Sequence, residues 1–198
     1  MNKLIIASNN LDKSQELTAY FKTFAVAAVN YQDFHEKVQF PAELADYRAN
    51  ALQKARFIQK VLKTNLPVLG DDSGIELLAL PGHFQTKTHR EFDQHGSLSH
   101  SAYILQLLKD HSQARDIILT SYLALCQGSR YIVGQGQLRG LVAWRAKGTN
   151  GFDLDQIVIP KGASQTLAEM STVQRQRYAQ REKAIENLMT NWSDQQWN

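Results

Sequence analysis

The chain has 198 residues, 43% of them hydrophobic and 21% charged, a balance that excludes a disordered, fibrous or low-complexity protein. Its net charge of +3, from 22 basic and 19 acidic side chains, is too small for a duplex-binding surface, so no nucleic-acid partner is expected. Cys126 is alone, which excludes an intrachain disulfide and a cysteine zinc site, and no apolar run is long enough for a signal peptide or a membrane span. A cytoplasmic protein without a membrane partner is the expectation. His35, His83, His89, His95, His100 and His111 lack the i, i+4 spacing of a helical zinc pair and read as solvated loop residues.

Lys3 to Ser8 is a short, branched apolar run ended by turn formers, and it predicts a buried strand. A helix follows, with Leu17, Tyr20, Phe21 and Phe24 on one face and Asp12 at its positive end. A strand around Ala25 to Val29 leads to a second helix marked by Leu44, Tyr47, Ala51, Ala55, Ile58 and Leu62, ending near Thr64. Pro67 to Leu69 predicts a strand closed by Asp71 and Asp72, and Ile75 to Leu80 a further strand beyond a Ser-Gly turn. "LPGHFQTKTHREFDQHGS" reads as a long polar loop and Leu98 to Lys109 as a third helix. "RDIILTSYLALCQ" and "RYIVGQGQLRGLVAW" read as strands with glycine-marked bends, and a last helix carries Tyr178, Ile185 and Leu188. Helices interspersed with strands predict an α/β fold, and no repeat or composition break divides 1–198, so a single domain is expected.

Two stretches carry candidate chemistry. "SNNLDKSQE", Ser8 to Glu16, opens a helix whose free N–H groups attract phosphate, with Lys13 adding a charge one turn in; a plain helix cap accounts for the same residues. Asp71 and Asp72, adjacent on a strand, point to opposite faces and should have different surroundings rather than share a proton. A carboxylate there suits Mg²⁺, a hard cation that favours oxygen, and equally suits a turn cap beside Gly74. Glu43 offers another carboxylate. Asn50 and Lys54 share a helical face that an exposed polar surface also explains. Arg181 falls on the apolar side of its helix, where it either meets an anion or extends its head to the rim.

Taken in order, "ASNNLDKSQE", "RANALQKAR", "LGDDSGIEL", "LPG", "GTNGFDLDQIVIPKG", "TLAEM" and "QREKAIENL" resemble the inosine triphosphate pyrophosphatase family over almost the whole chain. The resemblance implies a mixed central β-sheet with flanking helices, two lobes around a nucleotide cleft, Mg²⁺ dependence and commonly a homodimer. It also implies hydrolysis of nonstandard purine nucleoside triphosphates (ITP, dITP, XTP) to monophosphate and pyrophosphate. Carried over residue by residue, Ser8, Asn9, Asn10 and Lys13 would cradle the triphosphate. Asp72 would bind metal and accept the proton of the attacking water, Ser73 would touch substrate, and Glu43 would be a second metal ligand. The spacing from Glu43 to Tyr47 is one residue shorter than in many bacterial relatives.

On the base side the resemblance implies Phe152, Asp153, Leu154, Asp155, Arg175, Gln180 and Arg181 as substrate-binding. Here the chain departs from the family: Asp153 replaces a glycine, Leu154 an aromatic residue, Arg175 a lysine and Gln180 a histidine. Gln180 still donates and accepts a hydrogen bond, and arginine at a phosphate keeps the charge with altered geometry. Two alternatives stay open, a nucleotide-binding relative with weak or no turnover and a pyrophosphatase for another modified triphosphate.

Overall fold

A computed structural model describes residues 3–194 apart from 97, 112–113 and 152; Phe152, expected at the base, therefore lies outside the described residues. In chain order the elements are β1 (Lys3–Ala7), α1 (Leu11–Thr23), β2 (Ala27–Asn30), α2 (Tyr47–Leu62), β3 (Val68–Leu77), α3 (Thr88–Gln94), α4 (His100–Leu107), β4 (Asp116–Gln127), β5 (Arg130–Val142), β6 (Val158–Pro160), α5 (Thr172–Gln176) and α6 (Gln180–Asp194). The strands form one mixed sheet in the order β2-β1-β3-β4-β5-β6. β1 runs parallel to β2 and β3, and β5 antiparallel to β6. This is the α/β class that the alternation of elements predicts.

The chain forms two compact units. The first comprises Met1–Asp72, Ser121–Gly136 and Arg181–Asn198. Its β1 is buried on both faces, as an interior parallel strand must be. Leu4 and Ile6 pack with Leu17, Phe21, Ile185 and Leu188, while Ile5 and Ala7 pack with Tyr31, Ala55 and Ile58. That two-residue alternation explains why "LIIA" is continuously apolar. Gly70 of β3 lets α2 approach: a Cβ there would strike the Ala51 carbonyl and lie 2.9 Å from the Ala55 nitrogen. Gly134 of β5 does the same for α6, where a Cβ would strike the Ala184 carbonyl and lie 2.7 Å from Leu188.

The second unit comprises Ser73–Thr120 and Gln137–Gln180. Its core gathers Ile75, Leu77, Phe84, Phe92, Ile104, Leu138, Leu154 and Met170. Buried Arg115 donates to the carbonyls of Val142, Leu108 and Ala143, tying the end of β5 to the end of α4.

Several expectations are corrected. β3 is one strand through Ser73 and Gly74, not two strands around a turn, so the aspartates sit mid-strand. The polar loop contains α3, held by Phe92, which is buried against Phe84. Phe24 caps α1 rather than joining its stripe. Leu44 precedes α2 and is exposed. Tyr178 precedes α6 and packs in the second unit's core.

Candidate active site

Both aspartates are buried, each 4% exposed, and their surroundings differ. In the first unit, Asp71 Oδ2 lies 3.3 Å from Lys13 Nζ and 3.7 Å from Arg181 Nε. Its Oδ1 accepts from Ser121 Oγ at 3.1 Å. Burial pushes its carboxyl up, but Lys13, then Arg181 and Lys54, outweigh burial and hold it at about 2. Asp71 is therefore a fixed negative charge that gathers two cations. Arg181 points inward, with Glu16 Oε2 2.6 Å from its Nη1, so it does not extend to the rim.

Asp72 Oδ1 lies 2.6 Å from Lys54 Nζ, and Oδ2 accepts from Asn50 Nδ2 at 3.0 Å. Burial raises its carboxyl above the ordinary value despite Lys54, which makes Asp72 the better proton acceptor of the two. Lys54 also reaches Glu43 Oε1 at 3.3 Å, so Glu43 and Asp72 converge on one ammonium. A position where two carboxylate oxygens already face a cation is chemically suited to Mg²⁺, with water and phosphate oxygens completing its shell. Among the described residues no group of three or more His, Cys, Asp or Glu is placed to hold a metal by itself.

Local structure explains this arrangement. Asn50 is fully buried and clamps the chain before α2: Leu44 N donates to its Oδ1 at 2.7 Å and its Nδ2 donates to Leu44 O at 3.0 Å. That fixes the backbone next to Glu43. Asn50 and Lys54 thus belong to the carboxylate site and not to an exposed face. The signal was present in sequence: both sit beside Ala51 and Ala55, whose small side chains mark where α2 meets the sheet.

The loop at the mouth of β1 is divided in its duties. Asn10 caps α1 by accepting from Lys13 N at 2.9 Å. Asn9 is engaged by its neighbours, donating to Val38 O at 2.9 Å and accepting from the Tyr31 hydroxyl. The Ser8 carbonyl accepts from Asn30 Nδ2 at 2.9 Å. What the loop presents is the start of α1, with Lys13 one turn in.

In the second unit, Asp155 Oδ2 lies 3.6 Å from Arg175 Nη1. Gly151 takes a φ of +75° that favours glycine, and a Cβ there would push aside the ends of both side chains. Ser171 and Gln174 form a capping box that fixes the start of α5 and so Arg175. Asp153, at φ +56°, pairs with His100 Nδ1. The His100 ring stacks on Phe92 with centroids 3.9 Å apart, a correction to the reading of all six histidines as solvated loop residues. Leu154 is buried in the core of its unit. Ser73 follows Asp72 on β3, and Gln180 begins α6; both are half-buried.

A mixed α/β sheet carrying one carboxylate that organises two cations and a second that pairs with lysine beside another carboxylate defines a protein equipped for an anionic substrate. The model of the Ham1 family matches residues 4–191, and the chain belongs to that family. It is 35% identical to a dihydroneopterin triphosphate diphosphatase of Limosilactobacillus reuteri, over 95% of this chain and 96% of that one. It is 32% identical to a dITP/XTP pyrophosphatase of Streptomyces avermitilis, over 96% of each. A solved Ham1 protein of Coxiella burnetii superimposes with a TM-score of 0.81 at 23% identity, covering 98% of this chain and 100% of that one, a likeness of fold.

Proposed function

We propose that the protein is a nucleoside triphosphate pyrophosphatase that hydrolyses nonstandard purine nucleoside triphosphates such as dITP and XTP to monophosphate and pyrophosphate. The observation that carries the reading is the division of labour between Asp71, which holds Lys13 and Arg181, and Asp72, the more basic carboxylate, beside Glu43 and Lys54. Water attacks the α-phosphorus, its oxygen bonds to phosphorus, the α–β bridging bond breaks, and pyrophosphate leaves. Asp72 accepts the water's proton, while Lys13, Lys54 and Arg181 offset charge on the phosphate oxygens. Mg²⁺ held by Glu43 and Asp72 would supply Lewis-acid polarisation of those oxygens. The dITP/XTP pyrophosphatase relatives support this chemistry.

The reading includes a homodimer and a cytoplasmic setting; among the described residues no helix is long and apolar enough to cross a membrane. The test incubates the protein with Mg²⁺ and a panel of triphosphates. Pyrophosphate and monophosphate are expected as products, and orthophosphate with diphosphate would refute attack at the α-phosphorus. A second substrate, dihydroneopterin triphosphate, is favoured by the 35% identical relative that carries that name and by the base-side departures at Asp153, Leu154 and Gln180.

A further inference from the structure

The second unit contains a cavity of about 400 Å³ walled by His100, Asp153, Gln156 and Gly151. Asp153 sits at a positive φ of +56°, a region that glycine enters freely. Outside glycine that region is uncommon, and aspartate is among the few residues that tolerate it. The Asp153 carboxylate is aimed. His100 Nδ1 holds Oδ1, the His100 ring lies on Phe92 at an interplanar angle of 12°, and Ser101 Oγ donates to the Asp153 carbonyl at 2.8 Å. Oδ2 has no other partner among the described residues, and the side chain is 36% exposed.

We propose that Asp153 is a specificity-determining residue that reads a 2-amino-4-oxopyrimidine edge, the edge that dihydroneopterin triphosphate presents. The inference rests on the diphosphohydrolase reading above. Such an edge offers a ring N–H and an amino N–H side by side, and two carboxylate oxygens accept both in a charge-assisted bidentate pair. Hypoxanthine has only the ring N–H there. Xanthine has a carbonyl in place of the amino group, and that oxygen repels the carboxylate. His100 is a positioning residue that fixes the Asp153 rotamer.

The test compares wild type with Asp153→Asn and Asp153→Gly on dihydroneopterin triphosphate, dGTP, dITP and XTP, following pyrophosphate. Binding of dihydroneopterin triphosphate is followed separately by pteridine fluorescence. In both variants the ratio of kcat/KM for dihydroneopterin triphosphate over dITP falls about tenfold or more, the scale of a lost charge-assisted hydrogen bond. The ratio for dGTP, which has the same donor pair on a purine, falls with it, whereas that for XTP holds or rises. Asp153→Gly relieves the positive φ and keeps or raises Tm, so the loss is not one of folding. His100→Ala raises KM for the pteridine substrate while kcat stays.

Unchanged ratios, or equal losses on all four substrates, overturn the proposal. If wild type releases pyrophosphate from none of them, the diphosphohydrolase reading fails, and fluorescence still decides the role of Asp153. Binding weakened about tenfold in Asp153→Asn, the scale set by one such hydrogen bond, upholds that role. Equal binding overturns it.

Discussion

Replacing Asp71 by asparagine removes the negative charge on which Lys13 and Arg181 converge, at a side chain only 1% exposed. Its carboxyl is held at about 2 rather than the ordinary 3.8, which corresponds to about 2 kcal/mol of native stability at about 1.36 kcal/mol per pH unit. The native value lies below the unfolded one, so this contribution is complete above pH 3.8 and is lost as pH falls through about 2. By linkage about 1 kcal/mol is gone at pH 3 and about 2 kcal/mol at pH 2. Asp71→Asn leaves the two cations facing each other, and a cost of about 3–5 kcal/mol at pH 7 is expected for such a broken buried pair. Urea denaturation of both proteins from pH 7 to pH 3 measures it. The variant is weaker at neutral pH, and its stability falls less steeply than that of wild type below pH 4. Equal slopes for the two proteins would refute the assignment of Asp71 as the charge anchor.

Asp72→Asn should lower pyrophosphate release about 10²–10⁴-fold, the contribution typical of a general base, with some loss of Tm because Lys54 loses a buried partner 2.6 Å away; full turnover by the folded variant would remove Asp72 from the mechanism. Because burial raises its carboxyl, Asp72 in the metal-free protein should titrate above the ordinary value of 3.8, which NMR titration of its carboxyl carbon reads. Gly70→Ala drives a methyl group into the Ala51 carbonyl, so a loss of about 1–3 kcal/mol is expected from overpacking. Turnover should fall with it as Lys54 and Asn50 shift from Asp72, measured by urea melts and pyrophosphate release. Gly151→Ala, at φ +75° beside Asp155 and Arg175, should raise KM for triphosphates more than it lowers kcat in steady-state assays.

The fold class and the different surroundings of the two aspartates were legible because strand alternation is a strict geometric rule: neighbours on "GDDS" must face apart. The same strand misled where Ser73 and Gly74 resembled a turn. Their local preference is outweighed by sheet pairing along β3, which sequence pattern does not display. Asn50 and Lys54 stayed ambiguous because i, i+4 spacing says that two residues share a face and not which way it points. α3 was missed because seven residues with one buried aromatic leave too little periodicity to register. The base-side departures were readable as substitutions, but the pairing of Asp153 with His100 joins residues 53 positions apart, a contact that only the fold creates.

Gly70 and Gly134 set how near α2 and α6 come to the sheet, and those helices carry Lys54 and Arg181. The reach of each cation to its carboxylate is therefore controlled by two methyl groups that are missing. An alanine scan, which trims side chains, would pass over both positions or treat them as blanks. Here alanine is an enlargement, and mapping this site requires additions as well as deletions.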